Sequence, residues 1–279
     1  DANGLTVFNT NGFSLGSGAN GYNDDSENFC AWMWRGGNGT ASNGDGSITT
    51  TVSANPRAGF SLVSWTTAAS VPTSATLGHG LGAIPSLVVV KCRDTGSRNW
   101  LVYHGSTTAS DPDPEDLYSL WNTTAAPVNS DTAWNDTAPT STVFTVGNLA
   151  SAATANDKMI AYVWTPIPGF SSMGTYTGNA NANGPYINTG FSPAYFVLKD
   201  TVGGSWLVYD NLRNPDNITT SSALEIDTAA VESTTTGLLV DFYATGFKIR
   251  SADDEVNESG DRFIYWAFAS APFQTANAR

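Results

Sequence analysis

The chain has 279 residues, 13% charged, 41% hydrophobic and 11% aromatic, and its 25 acidic against 12 basic residues give a formal charge of −13. That excess repels phosphate backbones and anionic bilayers and so argues against nucleic-acid binding, while no apolar run approaches the roughly 18 to 20 residues of a spanning helix, which predicts a soluble protein without membrane insertion. The apolar bulk excludes disorder, and the wealth of Gly, Asn, Ser and Thr predicts short strands joined by tight turns in one large or two ordinary domains.

The chain opens at Asp1 with no methionine and no basic-then-apolar leader, as expected of a processed chain or a portion of something longer. Gly12-Phe13-Ser14-Leu15-Gly16 spells a nucleophile elbow, which works only where a strand turns sharply at Ser into a helix. Here Gly, Asn and Asp follow. The two histidines, His79 and His104, stand in other parts of the pattern, so no Ser–His relay is expected. Gly16 to Gly21 satisfies G-x-G-x-x-G but runs into Asp24 and Asp25, carboxylates where a pyrophosphate would sit, and reads as a hairpin loop. Asp24, Asp25 and Glu27, and likewise Asp253, Asp254 and Glu255, gather oxygens of the kind calcium takes; the alternative for both loops is a solvated hairpin tip. Cys30 and Cys92 are too few for a disulfide framework and lack zinc or redox spacing. By alignment with other strands Cys30 is expected to be a buried filler and Cys92 to be less buried.

Residues 38–56, rich in Gly, Asn, Ser and Thr, predict a linker. Further on, His79 sits in a turn where its ring is expected to satisfy a neighbouring backbone group, and Leu87-Val88-Val89-Val90 reads as a buried strand. The acidic stretch from Asp111 to Trp121, with Pro at an early position, predicts a helical turn or two, and almost no other helix is expected.

Internal repetition organises the rest. Asn99-Trp100-Leu101-Val102-Tyr103-His104 returns as Ser205-Trp206-Leu207-Val208-Tyr209-Asp210, and Pro85 to Lys91 returns as Pro193 to Lys199. Each unit opens on Gly-Phe-Ser, at Gly59 and Gly169, and closes on an alternating aromatic run, Lys158 to Trp164 and Arg262 to Phe268, which makes the unit about 108 residues long. A third copy of that ending is Asn28 to Trp34, and Phe8 with Gly12-Phe13 corresponds to Phe242 with Gly246-Phe247. The predicted organisation is therefore residues 1–37 as the C-terminal part of a preceding repeat containing a β-hairpin, 38–56 as a linker, 57–167 and 168–274 as two β-sandwich repeats, and 275–279 as a tail. The period-2 apolar pattern between turn clusters gives the fold class: all-β, tandem antiparallel β-sandwich-like repeats with short strands and long polar loops. Trp100, Tyr103, Trp206 and Tyr209, repeated at matching strand positions, read as core. Trp121, Trp134 and Tyr186, expected in loops, are the candidates for ligand contact.

Several further spellings carry a resemblance. They are Gly78-His79-Gly80-Leu81-Gly82 ahead of Ile84 to Lys91, Asn99 to His104, Asn135-Asp136-Thr137-Ala138-Pro139 on to Phe144, Gly174 to Asn179, and Tyr209-Asp210-Asn211-Leu212-Arg213-Asn214-Pro215. With these, the chain from Gly59 to Phe273 resembles a domain of unknown function that recurs, often in tandem, in tail-fibre and other virion proteins of marine tailed phages, those of cyanobacteria above all. The resemblance implies a virion structural or adhesion protein, a tail-fibre module concerned with host-surface recognition. It implies an extracellular, virion-borne location, a homo-oligomer that is trimeric if a fibre, and contact with other virion proteins and a host surface glycan. No enzyme activity and no cofactor is expected, calcium in the two acidic loops aside. The alternatives are a capsid-decorating or head-fibre protein, a cellular extracellular filament or surface-layer subunit, and a glycan-degrading tailspike-type enzyme, which needs carboxylates paired across a cleft.

Overall fold

Short alternating segments become strands throughout the computed structural model, which describes residues 4–16, 23, 25, 27–70, 72–106, 113–215, 217 and 219–270. Residues 1–34 and 35–279 are separate units.

In the first unit β1 (Leu5–Asn9) and β2 (Gly12–Leu15) form an antiparallel hairpin that sets Phe8 opposite Phe13 and Asn9 opposite Gly12. The expected hairpin is present, but the aromatic run at 28–34 carries no strand. An alternating segment becomes a strand only when neighbours supply ladder hydrogen bonds and an apolar layer. The described residues of this unit hold only the two strands of the hairpin. For the same reason Cys30 is exposed rather than buried.

The second unit begins with a further departure from expectation. The stretch read as a linker supplies β3 (Ala41–Asn43) and β4 (Thr50–Asn55), which extend the first sheet of the first repeat. In β4 Thr51 and Ser53 alternate with Val52 and Ala54, enough to satisfy a sheet edge though too polar to announce one. That repeat continues with β5 (Phe60–Thr66), β6 (Ser74–Gly78), β7 (Leu87–Cys92), β8 (Leu101–His104), β9 (Leu117–Leu120), β10 (Val128–Asn129), the helical turn α1 (Asp131–Trp134), β11 (Val143–Gly147) and β12 (Lys158–Trp164). The second repeat runs β13 (Ser171–Thr177), β14 (Tyr186–Asn188), β15 (Tyr195–Asp200), β16 (Leu207–Asp210), β17 (Ser221–Glu225), β18 (Ser233–Thr235), β19 (Val240–Tyr243), β20 (Gly246–Ile249), the helical turn α2 (Asp254–Asn257) and β21 (Arg262–Phe268).

Each repeat is a two-layer antiparallel sandwich. The first repeat sets an eight-stranded sheet, β10-β9-β8-β7-β12-β5-β4-β3, against the pair β11-β6; the second sets a six-stranded sheet, β13-β21-β15-β16-β17-β18, against β14-β20-β19. One core fills the gap in each. Val63, Leu77, Val88, Phe144, Met159 and Val163 build the first, and Phe196, Leu198, Tyr209, Phe247, Phe263 and Ala267 the second. The β19–β20 hairpin repeats the register of β1–β2, with Phe242 opposite Phe247, so the correspondence seen in the residues is a correspondence of structure.

The large sheets of the two repeats stand back to back. Trp266 meets His104 and Trp121, Trp164 meets Phe268, the Trp206 indole donates to Leu120 O at 3.1 Å, and Lys199 Nζ donates to Thr124 O at 3.1 Å. The central strands are thereby covered on both faces. Every residue of β15 is buried, as are Leu87 to Val90 of β7, which is why Tyr195 to Leu198 and Leu87 to Val90 read as continuous apolar runs instead of alternating ones.

The expected helical turn is the 3-10 turn Pro114–Asp116, with Pro at its start. Two turns were not legible: α1, capped by the Ser130 side chain accepting from Thr132 N, and α2, capped by Asp253 accepting from Glu255 N. Each is only one turn long, too short for a 3.6-residue periodicity to show. Among the described residues no helix is long and apolar enough to cross a membrane.

Candidate ligand-binding face

The outer face of β14-β20-β19 carries the most exposed aromatic arrangement of the second repeat. Ile187, Phe247, Val240 and Phe242 turn inward, so alternation turns their neighbours out. Two cross-strand rows result, Tyr186–Lys248–Asp241 and Asn188–Gly246–Tyr243. With glycine at the centre of the second row, the Tyr186 and Tyr243 rings approach edge to face, 5.7 Å between centroids and 84° between planes. They remain 45% and 40% exposed.

Polar groups hold both rings. Tyr186 Oη and Thr245 Oγ1 are 2.6 Å apart, and Tyr243 Oη donates to Asp241 Oδ2 at 3.3 Å. Asp241 is also paired with Arg250, and Lys248 Nζ donates to Asn183 Oδ1. The face therefore offers two apolar ring surfaces beside a guanidinium, an ammonium and two amides, the Asp241 carboxylate being buried and tied to Arg250 and Tyr243. That chemistry suits a sugar, whose C–H faces stack on rings while its hydroxyls take fixed donors and acceptors. The corresponding row in the first repeat pairs Thr76 with Thr145, and the β1–β2 hairpin has Asn9 where Tyr243 stands, so the pair belongs to the second repeat alone.

Of the three aromatic candidates, only Tyr186 lies on this face. Trp134 is 2% exposed, because α1 turns it into the core, where its indole donates to Leu117 O at 3.0 Å and its ring meets Tyr103 edge-on at 5.7 Å. Trp121 packs edge-on against both Trp100 and Trp266 where the repeats meet. Tyr243 is a functional candidate that residue order alone does not single out, its one signal being the inward-facing Phe242 beside it.

The other motifs resolve into structure. His79 is buried; its Nδ1 accepts from Leu81 N and its Nε2 lies 3.2 Å from Thr140 O, the backbone role expected of it. Ser14 lies within strand β2 opposite Val7, away from any strand-to-helix turn, and residues 17–22 of the glycine-rich loop are outside the described residues. Cys92 is buried, the reverse of the expectation, because its strand lies against the core. Lys199, fully buried, donates to Gly204 O at 2.6 Å and stands 5.8 Å over the Trp206 ring; burial lowers its ammonium pKa to about 8. Lys91 stands over Trp100 in the same way at 5.7 Å, and this recurrence marks a structural pairing.

Among the described residues the acidic loops bring no group of metal ligands together. Asp25 and Glu27 are exposed and Asp24 lies outside the described residues. Asp253 spends its carboxylate on the α2 cap, and burial, followed by Asp253, raises the Glu255 pKa. Among the described residues no three His, Cys, Asp or Glu side chains are grouped to hold a metal ion. Replacing Asp253 by Ala is expected to cost about 1 kcal/mol through the lost cap, read as a lower urea midpoint with or without calcium. A loss seen only in calcium would return the metal reading.

A family model for a domain of unknown function, DUF7483, matches residues 1–272. The chain belongs to that family. The DUF7483 match takes in the hairpin unit together with both repeats. No curated protein and no solved structure matches the chain.

Proposed function

We propose that this chain is a virion adhesion module of a tailed phage, of tail-fibre type, that assembles as a homo-oligomer with other virion proteins and touches a host surface glycan through Tyr186 and Tyr243. The single observation that supports the binding reading is the tyrosine pair, exposed on a sheet whose inner face is locked into a core. Such rings bind without first losing much rotamer freedom. Multivalency across an oligomer then turns weak single-site contacts into firm attachment.

Assembly has its own support in the first unit. Phe8 is 78% exposed and Leu5 and Val7 about half exposed, whereas Phe242, at the position matching Phe8, packs on the second core. An apolar hairpin of this kind suits contact with another sheet. The binding test is a glycan array probed with the full chain and with the Tyr186→Ala/Tyr243→Ala double variant. Retention of a defined host polysaccharide class, weakened at least about tenfold in the double variant, is expected. Equal retention by both proteins would remove the tyrosine pair as the site, and retention by neither would remove the glycan reading.

A further inference from the structure

The two cores differ at one matching end, and the difference leaves a site. In the second repeat Tyr176 pairs across the ladder with Phe263, stacks on it at 4.8 Å, and donates its hydroxyl to Val256 O at 2.7 Å; Val256, from α2, is fully buried and plugs the end of the sandwich. At the same ladder position of the first repeat Trp65 pairs with Met159. The segment there brings Leu149, Ala152 and Ala153 instead of a helical turn with a valine. A cavity of about 40 Å³ remains, lined by Trp65, Met159, Val90, Leu101, Val146 and Leu149 among others.

Trp65 is 7% exposed, and among the described residues its indole N–H has no hydrogen-bond acceptor. A buried donor left unanswered is costly, and relief by an incoming acceptor is correspondingly favourable. No charged residue lines the space, so its occupant must be neutral. There is room for roughly three waters at ~10–15 Å³ each, and since the space opens outward past Ala68, Pro72 and Asn148, a small ketone such as 2-butanone can seat its carbonyl end inside.

We infer that this cavity of the first repeat is a binding site for a small, neutral, mainly apolar molecule bearing one carbonyl or ether oxygen, which accepts the Trp65 indole hydrogen. The apolar walls supply burial and the indole supplies orientation. The site is independent of the tyrosine face, being in the other repeat, with core residues such as Trp65, Met159 and Val90 on its inner side and the exposed Ala68, Pro72 and Asn148 at its mouth.

The test follows the indole N–H resonances of the full chain, ¹⁵N-labelled, during titration with 2-butanone, the Trp65 signal being assigned by its loss in Trp65→Phe. A saturable downfield movement of the Trp65 signal is expected, with intermolecular contacts to the ketone methyl groups. Cyclopentane should perturb the cavity methyl groups without that downfield movement. Trp65→Phe, which keeps an aromatic side chain but removes the indole N–H, should weaken 2-butanone by about tenfold. A Trp65 signal unmoved up to the solubility limit of the ketone, or one showing contact only to bound water throughout, would overturn the assignment, as would unchanged ketone affinity in Trp65→Phe.

Discussion

Acidification from neutral pH to about pH 4 is expected to lower the stability of the 35–279 unit by about 3 kcal/mol through His104 alone. The ring is fully buried where the repeats meet. Its Nδ1 accepts from Ser106 N at 3.2 Å, which places the hydrogen on Nε2, and Nε2 donates to Tyr265 O of the other repeat at 3.0 Å. Both nitrogens are thus used by the neutral form, and a second proton on Nδ1 would face an N–H. Burial therefore drives the pKa from 6.5 down to about 4, with the Tyr265 carbonyl opposing weakly.

The direction follows from proton counts. Above pH 6.5 neither folded nor unfolded chain carries the proton and His104 contributes no slope; below it the unfolded chain takes one that the folded chain refuses, so stability falls until the folded pKa is reached. Two and a half pH units at ~1.4 kcal/mol each set the size. His79, lowered by its burial, adds in the same direction, while Asp200 and Glu255, raised by theirs, oppose it. Urea unfolding across this range isolates the term by comparison with His104→Gln, which cannot take the proton. A flattened slope in the variant is expected; an undiminished one would place the acid sensitivity elsewhere.

The second large effect separates two residues that the repeat makes equivalent. Trp206→Ala is expected to cost about 3–5 kcal/mol, and Trp100→Ala about half as much or less. Trp206 is completely buried between the repeats: its ring lies 5.4 Å from that of Trp266, its N–H donates to Leu120 O, and the buried Lys199 stands over it. Its removal opens a void, takes one of the donors from Leu120 O and strips the ammonium of its ring. Trp100 is half-buried, resting on Trp121 and Tyr162. Equal losses in the two variants, measured by urea unfolding, would contradict the back-to-back docking of the sheets.

Those two tryptophans also show where residue order stops being informative. Both read as core from their recurrence, yet the identical motif cannot say that one faces the other repeat and the other a partly open surface. The linker reading of 38–56 failed in a related way, because Thr and Ser alternating with Val52 and Ala54 form a strand only when β5 offers an open edge. Asn28 to Trp34 failed in the opposite sense, being strand-like in composition without flanking strands among the described residues of its unit. Trp134 was misplaced because one turn of helix reverses a side chain that a loop would have left outside.

By itself the sequence determined the all-β class, the two repeats, the hairpin kinship of Phe8-Phe13 with Phe242-Phe247, and the backbone role of His79, because these depend on period, turn chemistry and local hydrogen bonding. Only the tertiary structure decided which sheet faces meet, that His104 bridges the repeats, that Tyr243 joins Tyr186, and that Trp65 borders a space which Val256 closes in its counterpart. Each of these brings together residues far apart in the chain, and their proximity is set by layer packing and by the volumes that fill it, neither of which leaves a local period to read.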